Sequence, residues 1–432
     1  MTPASAFDTQ HPPSQKILDK CVHCGFCLAT CPTYVLWGQE MDSPRGRIQL
    51  IQLAADGAVE MTPQWVGHFD TCLGCMACMP ACPSGVDYGK LIEATRAQIA
   101  RRFRRPADET WFRRLLFATL TKPRRLAVLS RALFAYQRTG LQAALRRSFL
   151  KRLPKRLQTM ERLLPAMTAR EHTSAVTPAA GSTRGRVGML LGCVQREFLS
   201  GVNAATARVI AREGYEVVAP EDQPCCGALA MHAGEEASAL ACARRMIDVF
   251  DRAGVDVVIT NAAGCGSNMK EYGYLLRDDP AYAARAREFS RRCKDVTEWL
   301  AEVEPRALRQ PIRRRVAYHD ACHLQHAQGV RQQPRSLLSA IPGLDLVEIP
   351  EAAICCGSAG IYNLVQPDAA AALGDRKAEH IASLNVDLVA TGNPGCIFQL
   401  RSALAARGAA APVVHTVQVL DASISGDPAH LS

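Results

Sequence analysis

Past residue 185 the hydrophobic positions fall into short β-branched runs separated by stretches with helical spacing. Arg186–Leu191, Tyr215–Ala219 and Val255–Thr260 read as strands, with Asn203–Glu213 and Ala237–Arg252 as helices between them. The pattern returns further on, with Arg315–His319, Leu344–Ile349, Val386–Ala390 and Val413–Val419 as strands. Strands alternating with helices predict parallel-rich sheets covered by helices. Before residue 185 the pattern is helical only. Ser43 can cap a helix over Arg45–Leu53, with Pro44 in its first turn. Residues 101–170 read as amphipathic helices broken at Pro106, Pro123 and Pro154, and residues 171–185 as a Ser/Thr/Gly/Pro linker. Residues 1–20 form a polar lead-in.

The second half repeats itself. Cys193, Cys225-Cys226-Gly227 and Cys265 are matched by Cys322, Cys355-Cys356-Gly357 and Cys396, at offsets of 129, 130 and 131 residues. A strand runs into the first cysteine of each copy, and Gly264-Cys265 mirrors Gly395-Cys396. Two tandem copies of one α/β unit account for this.

Eighteen cysteines in 432 residues, inside a cell, point to metal ligation or redox chemistry rather than to disulfides. Two runs fix which. Cys21, Cys24, Cys27 and Cys31-Pro32 form C-x2-C-x2-C-x3-C-P, and Cys72, Cys75, Cys78 and Cys82-Pro83 repeat it. This is the two-cluster ferredoxin run, in which the fourth cysteine serves the other cluster. It assigns Cys21, Cys24, Cys27 and Cys82 to one [4Fe-4S] cluster and Cys72, Cys75, Cys78 and Cys31 to a second. Structural zinc uses two C-x2-C pairs and does not need the third cysteine or the proline. His23 lies within the first loop as a neighbour, since cysteines already fill the coordination. The CCG repeats offer four further thiols each, Cys193, Cys225, Cys226 and Cys265, then Cys322, Cys355, Cys356 and Cys396. They are candidate ligands of an additional iron–sulfur cluster, with buried packing thiols as the alternative. Cys242 and Cys293 have no partner in the other copy and read as structural, as do His319, His323 and His326.

The CCG repeat resembles the cysteine-rich domain of heterodisulfide reductase and of dehydrogenase iron–sulfur subunits. The strings Cys31-Pro-Thr-Tyr34, Asp42-Ser-Pro-Arg-Gly-Arg47 and Cys82-Pro-Ser-Gly-Val-Asp-Tyr88 resemble the iron–sulfur subunit of bacterial glycolate oxidase. The resemblance implies an electron-transfer subunit whose flavin-binding partner subunits oxidise glycolate to glyoxylate, with electrons passed toward a membrane quinone. The corresponding subunits of anaerobic glycerol-3-phosphate or lactate dehydrogenase are alternatives, as is a heterodisulfide-reductase-like thiol redox catalyst. In those last relatives the final cysteine belongs to a C-x2-C pair, where this chain has Asn268 and Gln399.

Composition and charge complete the picture. Hydrophobic residues make up 48% and charged residues 21%, as in ordinary globular domains. No apolar run is long enough to span a membrane and no secretory signal opens the chain, so a cytoplasmic location is expected. The net charge of +10 is concentrated: residues 101–170 hold nineteen Lys and Arg against Asp108, Glu109 and Glu161, a local balance of +16. Trp111, Phe112, Leu115, Leu116, Phe117 and Leu120 among those arginines suit a helix lying on an anionic membrane surface, peripheral to the cytoplasmic face of the inner membrane. A solvated basic face between domains would look the same. Nucleic-acid modules are absent, and so are G-x-G-x-x-G and G-x4-G-K-[ST] loops, so no nucleic acid, nicotinamide or nucleotide site is expected. A chain with clusters and no hydride acceptor carries electrons and has no catalytic residue of its own. The expected architecture is multidomain α+β. It comprises a two-cluster ferredoxin-type domain (1–100), a basic helical segment and linker (101–185), and two CCG domains (186–305 and 306–432).

Overall fold

The computed structural model describes residues 5–409 and 411–431. The first repeat is built on β1 (Val176–Thr177), β2 (Arg186–Met189), β3 (Glu216–Val218), β4 (Val257–Thr260) and β5 (Cys293–Asp295), in the order β1-β3-β2-β4-β5. The second uses β6 (Arg315–His319), β7 (Asp345–Glu348), β8 (Leu388–Thr391) and β9 (Val413–His415), in the order β7-β6-β8-β9. Every pairing is parallel except β1 with β3. Without β1 the two sheets have one topology, second-first-third-fourth, and the order reverses between the first and third strands. Strands β6 and β8 are buried almost end to end, as parallel strands with covered faces must be.

Two expectations need correction. Residues 171–185 are not only linker, because β1 lies within them and pairs antiparallel along the outer edge of β3. Its two residues are too few to show a pattern; it forms because an open edge offers unpaired backbone groups. Val413–Val419 is also not one strand. It is β9 followed by a helix, Thr416–Ser425. The β-branched run carries strand propensity across the boundary, but a capping box at His415 overrides it. Val417 N–H donates to His415 Nδ1 at 3.1 Å, and His415 N–H donates to Gln418 Oε1 at 3.0 Å. The first repeat does the same at β5, where Asp295 and Glu298 box the start of Val296–Glu302. The duplicated unit therefore extends past its last cysteine to a short fourth strand and a capped helix.

The repeats share a core. Val187, Ile259, Val316 and Leu388 belong to one buried cluster, and helices Ser200–Arg212 and Thr416–Ser425 pack across the boundary. Arg208 grips Asp421 there, with nitrogen–oxygen distances of 2.6 and 3.0 Å. Near the cysteines, His415 Nε2 donates to the Asn261 carbonyl at 2.8 Å and Ala263 N–H to the Gly392 carbonyl at 3.1 Å.

The N-terminal part is helical around its cysteine loops. Ser43 caps Pro44–Ala55, accepting from Gly46 N–H at 3.0 Å. Residue 46 must lack a side chain, because a Cβ would sit 2.0 Å from the Glu40 carbonyl oxygen. The basic segment forms Ala107–Leu120, Pro123–Arg138, Leu141–Ser148 and Lys155–Leu163, broken at the three prolines and also at Gly140, whose φ is 76°. These helices lie against the rest of the molecule. Arg105 bridges to Asp70 at 2.6 Å, Ser130 donates to Glu197 at 3.0 Å, and Leu116 and Leu126 are buried.

Candidate functional site

The two ferredoxin-type loops have one backbone. His23 and Gly25 in the first, and Gly74 and Met76 in the second, all take left-handed φ between 54° and 86°. Such turns point three successive cysteines inward. A small cavity is lined by Cys21, Cys24, Cys27 and Cys82, with Cys78 at its inner side. The complementary set, Cys31, Cys72, Cys75 and Cys78, is buried. Each fourth cysteine thus lies with the other run's first three. Cys24 is exposed and carries Val22 and Phe26, 67% and 68% exposed, beside it.

Burying thiols that must ionise to bind metal is costly. Burial pushes Cys27 up to about 11, and it raises Cys75 and Cys78 well beyond the ordinary thiol range. Cys72 behaves differently. Burial opposes its ionisation too, but the charges of Arg47 and Arg96 outweigh it and hold Cys72 below its ordinary value. Gly74 N–H and Tyr88 O–H point at its sulfur, at 3.4 and 3.7 Å. Arg47 is itself only 1% exposed, and its Nη1 lies 4.0 Å from Cys31 Sγ. The donor set is four thiols with buried cationic support, which suits a [4Fe-4S] cluster with its thiolate ligands. Among the described residues no three His, Cys, Asp or Glu close around a point the size of a single ion; a cubane is held at its corners by more widely set sulfurs.

In the repeats, Cys193 and Cys265 follow β2 and β4, and Cys322 and Cys396 follow β6 and β8. Those strand ends flank the point where strand order reverses, the place where open α/β sheets assemble sites. The CCG loop swings in beside them. Cys193 Sγ is 3.8 Å from Cys225 Sγ, and Cys226 is close enough to Cys265 for that thiol to raise its cost of ionisation. The copy is faithful, with Cys322 Sγ 3.9 Å from Cys355 Sγ and Cys356 close enough to Cys396 for their charges to interact. A five-residue π-helical turn, His323–Ala327, follows Cys322. Asn268 donates to the Cys226 carbonyl at 2.8 Å, and Gln399 donates to the Ala370 carbonyl at 2.9 Å. Both brace the backbone.

Cys193, Cys225, Cys226 and Cys265 of the first quartet and Cys322, Cys355 and Cys396 of the second line one cavity of about 380 Å³. Its wall includes Cys72 of the ferredoxin part, and Cys75 is close enough to Cys322 for their charges to interact. The contacts that hold this junction are specific. His323 Nε2 donates to the Gly74 carbonyl at 2.8 Å, and Arg96 donates to the carbonyls of Cys72 and Phe69 and, at 2.9 Å, of His232. His319 and His326 hydrogen-bond to Thr391 and to the Ala353 carbonyl. The sequence reading missed Arg47, Arg96, His232 and Tyr362. His232 and Tyr362 each stand six residues after the second cysteine of their CCG motif, a signal visible once the copies are aligned.

Comparison with known proteins fits this organisation. The family model of a 4Fe-4S dicluster domain matches residues 17–86, and that of a cysteine-rich domain matches 187–270 and 316–401. The linker region of the glycolate oxidase iron-sulfur subunit matches 108–164. Together with the fold, these define an iron–sulfur protein with a two-[4Fe-4S] domain joined to tandem cysteine-rich domains. The probable glycolate oxidase iron-sulfur subunit of Bacillus subtilis is 38% identical, over 93% of this chain and 92% of that protein. The glycolate oxidase iron-sulfur subunit of Escherichia coli is also 38% identical, over 90% and 91%. A fumarate reductase (CoM/CoB) subunit of Methanothermobacter marburgensis is 35% identical over 56% of this chain and 47% of its own length. The chain belongs to the glycolate oxidase iron–sulfur subunit family, and it is a subunit of an oxidoreductase.

Proposed function

We propose that this chain carries electrons in a glycolate dehydrogenase: from flavin-binding subunits that oxidise glycolate to glyoxylate, onward to a membrane quinone. On this reading Cys21, Cys24, Cys27 and Cys82 hold one [4Fe-4S] cluster, and Cys72, Cys75, Cys78 and Cys31 a second. One quartet of the repeats, Cys193, Cys225, Cys226 and Cys265 or Cys322, Cys355, Cys356 and Cys396, holds a further cluster at most. When bound, each cluster takes up and releases one electron at a time. The division at residues 100, 185 and 305 is the corresponding set of working units.

The observation that carries the reading is the series of thiols. It begins at exposed Cys24, continues through the buried set, and ends at Cys72 and Cys322 in the cavity wall. A partner reaches the outer end, and the inner end faces the cavity. Within the series the chain's residues do the positioning. Arg47 and Arg96 supply positive charge to buried thiolates, backbone N–H groups point at sulfur, and His323 ties Gly74 to the second repeat. Lactate is the alternative substrate, supported by lactate utilization protein A of Geobacillus sp., 28% identical over 55% of this chain and 99% of its own length.

Anaerobic reconstitution is expected to give about eight irons from the two N-terminal sets. Cys24→Ser and Cys75→Ser together should abolish both electron paramagnetic resonance signals. The chain alone should not oxidise glycolate, and adding its flavoprotein partners should restore dye reduction. Turnover by the flavin-free chain would refute the proposal.

A further inference from the structure

The cavity has features that electron relay alone does not require. Its floor is cysteine, but much of its wall is aliphatic and comes from the basic segment: Leu120, Leu126, Leu129, Leu133, Met160 and Leu163. Leu129 and Met160, each 37% exposed, stand at its mouth. About 380 Å³ is the size of a small-molecule site, and apolar walls with few polar groups are its usual composition.

Two of the polar groups are repeat equivalents. His232 and Tyr362 are 130 residues apart, the offset of the CCG motifs themselves. Each lines the cavity, and each has a buried polar atom with no hydrogen-bond partner, His232 Nε2 and Tyr362 Oη. Buried polar atoms are normally hydrogen-bonded, so these two have bonding capacity left to offer into the cavity. The other side of His232 is committed, because Nδ1 lies 3.0 Å from Glu93 Oε1, whose side chain is 14% exposed. With Nδ1 facing a carboxylate, Nε2 is the atom left to meet a ligand. Tyr362 is also near Cys72 and Cys355, so it borders the ferredoxin thiols and the second repeat together.

We infer that this cavity is the acceptor site and binds a lipid-soluble para-quinone, His232 and Tyr362 donating to its two carbonyl oxygens. The inference rests on the electron-carrier reading above and adds where on this chain the electrons leave and which side chains meet the acceptor. His232 and Tyr362, at equivalent positions of the two repeats, line the same cavity, and a para-quinone offers them one acceptor oxygen at each end of its ring. The aliphatic wall receives the ring's flanks and tail, and the basic segment that supplies this wall is the part of the chain suited to an anionic lipid surface. The balance is simple. Oxidation of the 2-hydroxy acid at the flavoprotein yields the 2-oxo acid, two electrons and two protons. The quinone takes two electrons and two protons, and both C=O groups become C–OH. One oxygen takes the Nε2 proton of His232, which donates as the imidazolium paired to the Glu93 carboxylate and regains that proton from water. The other takes the Tyr362 proton, which water at the mouth replaces.

Photolabelling of the reconstituted full chain with an azido-ubiquinone analogue tests the site directly. Adducts are expected on peptides from residues 120–165 and 358–365; adducts confined elsewhere would overturn the assignment. Leu129→Trp, which fills the mouth, should weaken decylubiquinone binding at least tenfold. With flavoprotein partners present, His232→Phe and Tyr362→Phe should each lower the ratio of quinone to dye reduction at least tenfold. His232→Gln, which keeps an N–H donor, should recover part of it. Unchanged ratios in both Phe variants would refute the donor roles. If glycolate-dependent dye reduction fails in the wild type, the electron-carrier reading fails, while the labelling result still reports on the cavity.

Discussion

Arg47 shows what a single side chain does here. It is a guanidinium with almost no solvent contact. Nε donates to the His68 carbonyl at 2.6 Å, and its terminal nitrogens reach Thr33 and Thr71 at 3.2 and 3.0 Å. Its one carboxylate partner, Asp42, is 3.4 Å away and shared with His68 and Thr71. The remaining compensation comes from the sulfurs of Cys31 and Cys72, so the arginine and the thiolates make each other's burial tolerable. Arg47→Leu is expected to cost about 3–5 kcal/mol, the usual penalty for breaking a buried ion pair, read from guanidinium unfolding of the iron-loaded protein. Arg47→Lys keeps the charge but loses the planar fork, and should cost less. The eight ferredoxin cysteines were legible because their spacing is a coordination rule. Arg47 was visible only as a letter in a familiar string, since nothing local says that it is buried beside sulfur. His232 and Tyr362 were harder still, because unlike residues occupy the equivalent positions.

At the level of the element, the two boxed helices close each repeat. Asp295 caps the first, accepting from Thr297 N–H at 2.8 Å and from Thr297 O–H at 2.6 Å, while its second carboxyl oxygen has no partner. Burial pushes this carboxyl up to about 6. A folded-state value above the unfolded one favours the fold while the group is protonated. That contribution is complete below about pH 4 and is lost as pH rises through 6. Asparagine caps as well as aspartate and carries no charge. Asp295→Asn should therefore gain on the wild type by about 2–3 kcal/mol between pH 4 and pH 8, two pK units at 1.36 kcal/mol each. Denaturant midpoints at the two pH values give the number. Strands β2, β4, β6 and β8 were readable from their apolar runs. Cys293-Lys294-Asp295 has no such run, and β9 was read too long because propensity does not reveal a cap.

At the level of the molecule, the basic segment joins the ferredoxin part to the repeats and covers the cavity between them. Its helical character was plain from periodicity; which of its faces packs was not, because leucine and arginine alternate on both. In Pro123–Arg138 one stripe, Arg124, Val128, Arg131 and Arg138, is exposed, while Leu126 is buried. No helix among the described residues is long and apolar enough to cross a membrane. Each basic residue near an anionic surface contributes about 1 kcal/mol. Changing Arg124, Arg131 and Arg138 to Gln should weaken binding to phosphatidylglycerol vesicles by roughly a hundredfold in flotation assays, and salt should weaken the wild type in the same direction.

The burial of the thiols has one more consequence. It runs from exposed Cys24 to the enclosed quartets, and depth decides how soon an oxidant arrives. A path that opens at the surface for a partner opens there for dioxygen too, so corrosion starts at the outer end. On the ligation proposed above, a preparation handled in air loses its centres in sequence, the set of Cys21, Cys24, Cys27 and Cys82 giving up iron before the deeper sets. The half-stripped molecule would keep its cavity and its inner redox centre intact, yet receive nothing. It would be a wire cut at the socket, with its far end still live.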